Sequence, residues 1–209
     1  MKIDFHIHTK YSKCSNIDPV KAVKRAEEKG LDAIVLLNHN LKPRVFKGSS
    51  KVKVIPGIEV STKEGHVLVI NTKKDFKKGL SAQEVINKAG KGSLVIIAHP
   101  FDKLRCGVGS KINELKGYHA IEVNARCLSN KFNNESRAFA KKNNIPLVAG
   151  SDSHFINEIG NAWTEVKAKT ISEAIRKVKQ GQTKTYIRKR GFWEKAKYHL
   201  KSMILIKKA

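Results

Sequence analysis

Apolar and polar residues alternate from the start of the chain: Ile3, Phe5 and Ile7 against Asp4, His6 and His8. A period of two over residues 2–9 predicts a strand with one apolar face and one face carrying a carboxylate and two imidazoles. Asp18-Pro19 supplies an N-cap followed by a first-turn proline, so a helix starts there and stops before Gly30. Residues 31–37 are apolar except for Asp32 and read as a buried strand ending at Asn38-His39-Asn40. Residues 41–51 read as a loop. A third strand over 52–60, interrupted at Pro56-Gly57, ends near Glu59, and the turn at Glu64-Gly65 leads into a hairpin partner over 66–70.

The pattern then repeats. Ser81 and Glu84 form a capping box for a helix over 81–91. A strand over 94–98 ends at His99-Pro100, and a loop over 103–109 precedes a short helix to 116. A strand over 120–123 ends at Asn124, and a helix spans 129–143. A strand over 145–149 ends at Gly150-Ser151-Asp152-Ser153-His154. A short strand over 162–166 and a helix over 172–179, closed by Gly181, follow. Short apolar strands alternating with amphipathic helices predict a parallel α/β architecture. The polar residues gather at the strand ends. A parallel barrel collects its site on that rim, whereas an open sheet uses one crevice. The sequence therefore predicts a small single-domain barrel, with seven strands or irregular closure.

Residues 184–209 are strongly basic. Phe192, Ala196, Leu200, Met203 and Ile204 recur there at helical steps. We read 1–185 as the barrel and 186–209 as a basic amphipathic helix whose apolar stripe packs on it. The sharper alternative is a surface for nucleic-acid phosphates or anionic lipid.

Composition adds limits. In 209 residues, 42 Lys+Arg against 18 Asp+Glu leave a net charge of +24. That favours polyanionic partners such as nucleic acid or phosphorylated substrates, although scattered lysines also describe an ordinary solvated surface. Cys14, Cys106 and Cys127 form no CxxC, which argues against a disulfide framework and fits a reducing cytoplasm. Cys106 and Cys127 read as structural. No signal peptide is visible, and no apolar run approaches the roughly 20 residues of a membrane span.

His6, His8, His39, Glu59, His66, His99, Asp152 and His154 all fall at predicted strand ends or starts. A single zinc site needs three or four ligands, so this set points to two or three divalent ions, with zinc, manganese and iron all suited to its imidazoles and carboxylates. Ions about 3.5–4 Å apart suit in-line displacement at phosphorus by an activated water. Arg126, Arg105 and Lys103 are the candidate cations for substrate oxygens, and His39, Asp152 and Arg126 the candidates nearest the chemistry. Asp4 and Glu122 read as supports for the ligands rather than ligands. There is no G-x-S-x-G elbow and no P-loop.

Asp4-x-His6-x-His8-Thr9 with Tyr11-Ser12, Asn38-His39-Asn40, Gly57-Ile58-Glu59-Val60, Ala98-His99-Pro100 and Gly150-Ser151-Asp152-Ser153-His154 resemble, in order and spacing, the motifs of the PHP (polymerase and histidinol phosphatase) family. The resemblance implies a distorted, TIM-like (β/α)7 barrel with up to three metals at its rim and phosphoester hydrolysis. It puts ligand roles on His6, His8, His39, Glu59, His99, Asp152 and His154, and more loosely on His66. Lys13 stands where such proteins carry an acidic or imidazole ligand. Cys14 or Asp18 would have to substitute, or one metal position is weak or empty. The expected substrate is a phosphorylated small molecule, nucleotide or oligonucleotide. The alternative is an RNA-binding barrel of the kind found in a ribonuclease P subunit.

Overall fold

The computed structural model describes every residue except Pro43, Gly48, Ser50 and Ala209, and only the backbone of Lys208. The loop expected at 41–51 thus lies partly outside the described residues. Strands β1 (Lys2–His8), β2 (Ala33–Leu37), β3 (Lys53–Ser61), β4 (His66–Ile70), β5 (Leu94–Ile97), β6 (Ala120–Asn124), β7 (Leu147–Gly150), β8 (Ala162–Glu165) and β9 (Lys184–Ile187) form one sheet in the order β7-β6-β5-β4-β3-β2-β1-β8-β9. The pairs β1–β2, β2–β3, β5–β6 and β6–β7 are parallel, while β4 is antiparallel to both β3 and β5. The chain is a mixed α/β single domain whose sheet curls into a nearly closed, distorted barrel.

The seam of that barrel lies between β1 and β7. Ser153 N donates to His6 O at 3.2 Å, and His8 N donates to Ser153 O at 2.9 Å. Below this, β8 runs antiparallel to β1 and wedges the gap, its Thr164 Oγ1 accepting from Ala149 N at 2.7 Å.

The strict alternation expected in β1 is broken. Asp4 pairs with Ile34 but Ile7 with Leu36, so β1 carries one extra residue, a bulge. Ile3 and Phe5 consequently join the interior cluster with Leu37, Ile55 and Ile70, whereas Ile7 joins an outer cluster. His6 and His8 still converge, with Nε2 atoms 3.0 Å apart.

Helix α1 (Pro19–Glu28) is capped by Asp18, whose Oδ1 accepts from Val20 N and Lys21 N. It buries Ala22, Val23 and Ala26 against Ile34 and Leu36. Helix α2 (Ala82–Lys88) has the expected Ser81–Glu84 box and packs Val85 and Ile86 on the outer face of β3, β4 and β5. Helix α3 (Asn130–Asn143) follows β6. Helix α4 (Ile171–Lys179) inserts Ala174, Ile175 and Val178 into the interior cluster. Removing side chains the size of Ile175 and Val178 from water contributes roughly 1.5–3 kcal/mol each.

Helix α5 (Phe192–Lys208) departs from expectation. Polar residues make its buried contacts with the barrel, and most of its large apolar residues stay exposed. Lys195 and Ser202 are buried, while Trp193, Leu200, Met203 and Ile204 are exposed. The reason is the docking site: the turn after β6 offers carbonyls and a buried guanidinium rather than apolar surface. Lys195 Nζ donates to Cys127 O at 2.8 Å, and His199 Nε2 donates to Arg126 O at 3.1 Å. β9, read from sequence as part of the basic tail, pairs with β8 and straddles the expected boundary at 185. Among the described residues, no helix is long and apolar enough to cross a membrane.

Candidate metal centre

One parity rule positions most of the site. Ala33, Val35 and Leu37 face the barrel interior, so the next inward position along that strand is His39. Ile55 continues through Gly57 to Glu59, Ala120 to Glu122 and Asn124, and Val148 through Gly150 to Asp152. β4 runs the other way, so its first residue, His66, reaches the rim where its neighbours end.

Glu59 is the centre. Its Oε2 lies 3.4 Å from His6 Nε2, 3.0 Å from His8 Nε2 and 3.2 Å from His39 Nδ1. Its Oε1 lies 2.9 Å from His66 Nδ1 and 3.7 Å from His99 Nε2. Asp152 Oδ1 sits 3.5 Å from both His6 Nε2 and His8 Nε2, and 3.4 Å from His154 Nδ1. All eight side chains predicted for the metal set are therefore brought together.

The supports fix ring orientation. A carboxylate only accepts, so His6 Nδ1 donates to Glu122 Oε1 at 2.9 Å and keeps its Nε2 lone pair for the cluster. Glu122 Oε2 also accepts from His99 N at 3.1 Å and Asn124 Nδ2 at 3.0 Å. Asp4 does not reach the cluster. It accepts from the backbone amides of His6, Ser151 and Gly160, stapling the seam from outside, and burial pushes its carboxyl up to about 6. Asn38 Oδ1 accepts from Thr9 Oγ1 and Ser12 Oγ, tying the loop after β1 to the end of β2. His99 and Asp152 adopt left-handed backbone conformations, with φ of 28° and 54°, a cost that rims of functional clusters commonly carry.

Electrostatics follow from this crowding. Burial opposes charge on Glu59, but His39, His66 and His6 hold its carboxyl well below the usual range. Burial pushes His39 down to about 3. It also works against a charged His66, which Glu59 nevertheless lifts to about 10. Geometry adds a further point. Glu59 Oε2, His8 Nδ1, His66 Nδ1 and His99 Nδ1 are buried without a hydrogen-bond partner, although Glu59 Oε2 lies 3.0 Å from His8 Nε2 and His66 Nδ1 lies 2.9 Å from Glu59 Oε1. Unsatisfied buried donors and acceptors facing each other are costly, and a divalent cation held between them satisfies them. Three groups have ligand atoms mutually within 4.8 Å: His6, His8 and Glu59; His39, Glu59 and His66; and His8, Cys14, His39 and His154. The donor set fits divalent metal ions.

The expected substrate cations divide. Arg105 and Arg126 line the cavity of about 210 Å³ above Glu59, and Lys103 does not. Arg105 is turned inward by Asp102, 2.9 Å from its Nε, and its Nη1 pairs with Asp152. Lys103, two residues earlier on the same 3-10 turn, points to solvent. Arg126 is committed elsewhere: its guanidinium donates to Glu158 Oε2, Tyr198 O and Ser202 Oγ at 3.3, 3.2 and 3.0 Å. Asp18, capping α1, is also bound by Lys10 at 2.7 Å and is no ligand candidate. Cys106, read as structural, is exposed at the cavity beside His66.

Sequence reasoning missed two contributors. Buried Glu158 accepts from His154 N at 3.2 Å as well as from Arg126. His199, Ser202, Met203 and Ile206 of α5 form a wall of the cavity. The only available signal was the isolated His199 in a basic helix.

Residues 130–183 match the PHP-associated family model, PHP_C. An uncharacterised protein of Methanocaldococcus jannaschii, MJ0417, is 30% identical over 184 residues, covering 83% of this chain and 73% of that protein. The chain belongs to the PHP family. A second M. jannaschii protein, MJ1587, also uncharacterised, is 30% identical over 131 residues, covering 55% of this chain and 77% of its own length. The fold is shared with PsfC of Pseudomonas syringae PB-5123, at 17% identity and a TM-score of 0.69 over 99% of this chain and 98% of that one. It is also shared with a Bifidobacterium adolescentis protein assigned as a metal-dependent phosphoesterase, at 14% identity and a TM-score of 0.57 over 73% of this chain and 87% of the other. An amidohydrolase of Chromobacterium violaceum, whose structure carries bound sulfate and no metal, matches at 13% identity and a TM-score of 0.56, covering 96% and 97%.

Proposed function

We propose that this PHP protein is a metal-dependent phosphoesterase acting on a small phosphorylated molecule or a nucleotide. The observation that carries the reading is Glu59, a buried carboxylate with five imidazole nitrogens within 3.7 Å and Asp152 beside them. His6, His8, His39, Glu59, His66, His99, Asp152 and His154 would hold two or three divalent ions, zinc, manganese or iron. Bound there, such ions supply an activated water near neutral pH and neutralise phosphoryl oxygens.

The chain's own residues do the rest. Arg105, half-buried at the cavity wall, would bind a phosphoryl oxygen, while its contact with Asp152 keeps that carboxylate ionised. Burial opposes the charge on Asp152, and His6 and Arg105 outweigh it. The cavity, about 210 Å³, is below the roughly 300–1,000 Å³ of ordinary ligand pockets and has α5 as one wall, which favours a small phosphoester over a threaded polynucleotide. The Bifidobacterium protein's assignment as a phosphoesterase is consistent with this reading.

The test is hydrolysis of an aryl phosphate, phosphomonoesters, nucleotides and short RNAs by chelator-stripped protein with zinc, manganese or iron added back. Turnover that requires metal and is lost in His39→Ala supports the reading. RNA affinity that falls steeply with salt, with no turnover on any phosphoester, would replace it with RNA binding.

A further inference from the structure

We propose that Cys14 supplies a thiolate, together with imidazoles of His8, His39 and His154, to a zinc-selective cation position at the edge of the cluster. This rests on the cation-binding reading above and goes beyond it in naming the donor and the ion.

The loop after β1 offers few donors to the site. Lys13 is exposed, and Asp18 is engaged at the start of α1 by Lys10. Cys14 is buried and lines the cavity. Its Sγ and one nitrogen each of His8, His39 and His154 all lie within 4.8 Å of one another. The loop is pinned in that position. Ser15 Oγ contacts the carbonyls of His8 and His154 at 3.1 and 3.0 Å, and Ser12 Oγ bonds to Asn38.

One of the imidazoles lacks a partner, and the tautomer of another is fixed. His154 Nδ1 is 2.8 Å from Asp152 O, and a carbonyl only accepts, so Nδ1 bears the proton and Nε2 the lone pair. His8 is fully buried with Nε2 at Glu59, and its Nδ1 has no hydrogen-bond partner.

The donor set decides the ion. Its donors are imidazole nitrogens and one thiolate, with no carboxylate, unlike the half of the cluster built on Glu59 and Asp152. A soft thiolate among imidazoles selects zinc, or cobalt as its substitute, over manganese or magnesium. On binding, the Sγ–H proton leaves to solvent and the sulfur lone pair forms the bond to the cation.

The experiment loads chelator-stripped, full-length protein with cobalt(II) alone. Wild type is expected to show a near-ultraviolet thiolate-to-cobalt charge-transfer band. Cys106→Ser and Cys127→Ser keep it, and Cys14→Ser loses it along with one equivalent of bound cobalt. Cys14→Asp, which restores an oxygen donor, recovers the equivalent without the band and takes up more manganese than wild type. Cobalt bound by wild type without a charge-transfer band, or a band that survives Cys14→Ser, overturns the thiolate site while leaving the phosphoesterase reading standing. Failure to bind any cobalt overturns both.

Discussion

His6 Nδ1 lies 2.9 Å from Glu122 Oε1, and both side chains are fully buried. The carboxylate fixes the imidazole tautomer and aims Nε2 at Glu59 and Asp152. Glu122→Gln keeps the shape but removes the charge, so zinc affinity is expected to fall about 10–100-fold. Competition against a chromophoric chelator measures it, and unchanged affinity would remove Glu122 from this role.

Gly150 sits between those two residues. A Cβ there would fall 2.3 Å from Glu122 Oε1 and 2.5 Å from His6 Cβ. Neither neighbour can retreat, because each is hydrogen-bonded in the closed core. Gly150→Ala is expected to destabilise the fold by about 1–3 kcal/mol, as overpacked cores do, and to lower metal content. Thermal melting of stripped and loaded protein reads both effects.

Cations that bind the native cluster and not the unfolded chain must raise the melting temperature. At a hundredfold excess over Kd the gain is about 2.7 kcal/mol. Calorimetry of wild type with and without zinc should show the shift, and Glu59→Gln, lacking the central carboxylate, should show little of it. Equal shifts in both proteins would argue that zinc binds elsewhere.

Docking of α5 should weaken in acid. Burial, with Arg126 and Arg105 nearby, pushes His199 down to about 4, and Asp152 opposes this only weakly. An unfolded histidine titrates near ~6.5. The detached helix therefore binds the proton more readily, and the contribution of His199 is complete above about 6.5 and lost as pH falls towards 4. Hydrogen exchange of residues 192–208 should accelerate over that window, and His199→Gln should flatten the dependence. A flat wild-type profile would show that His199 does not couple to docking.

Freeing Arg126 should have the same effect at neutral pH. Arg126→Met removes the bonds to Tyr198 O and Ser202 Oγ and leaves Glu158 with Arg190 at 3.5 Å. Limited proteolysis within α5 is expected to quicken severalfold, with the barrel resisting as before.

Much of this was legible because strand parity is rigid. Once Leu37 and Ala120 are known to face inward, His39 and Glu122 must follow, and a sequence shows that spacing directly. His66 was legible for a different reason: a hairpin reverses direction, so a strand's start can share a rim with other strands' ends. The bulge in β1 was not legible, since an extra residue is specified by what β2 and the residues after β7 present, not by local pattern. The orientation of α5 was hidden for a similar reason. Its apolar residues do recur at helical steps, but the surface it meets is Cys127 O, Arg126 and Asn130, which reward polar side chains. Glu158 gave no sign because its importance lies in Arg126, Arg190 and His154 N, none adjacent to it in sequence.

The seam between β1 and the residues after β7 also has a bearing on biosynthesis. His6 and His8 leave the ribosome first among the cluster residues, and Asp152 and His154 leave last, yet Ser153 must bond to both His6 and His8 before the four can face one another. A nascent chain thus carries six of the eight cluster side chains, and lacks Asp152 and His154, until residue 154 has been translated. Binding of a cation by the whole set is therefore expected to follow closure of this join.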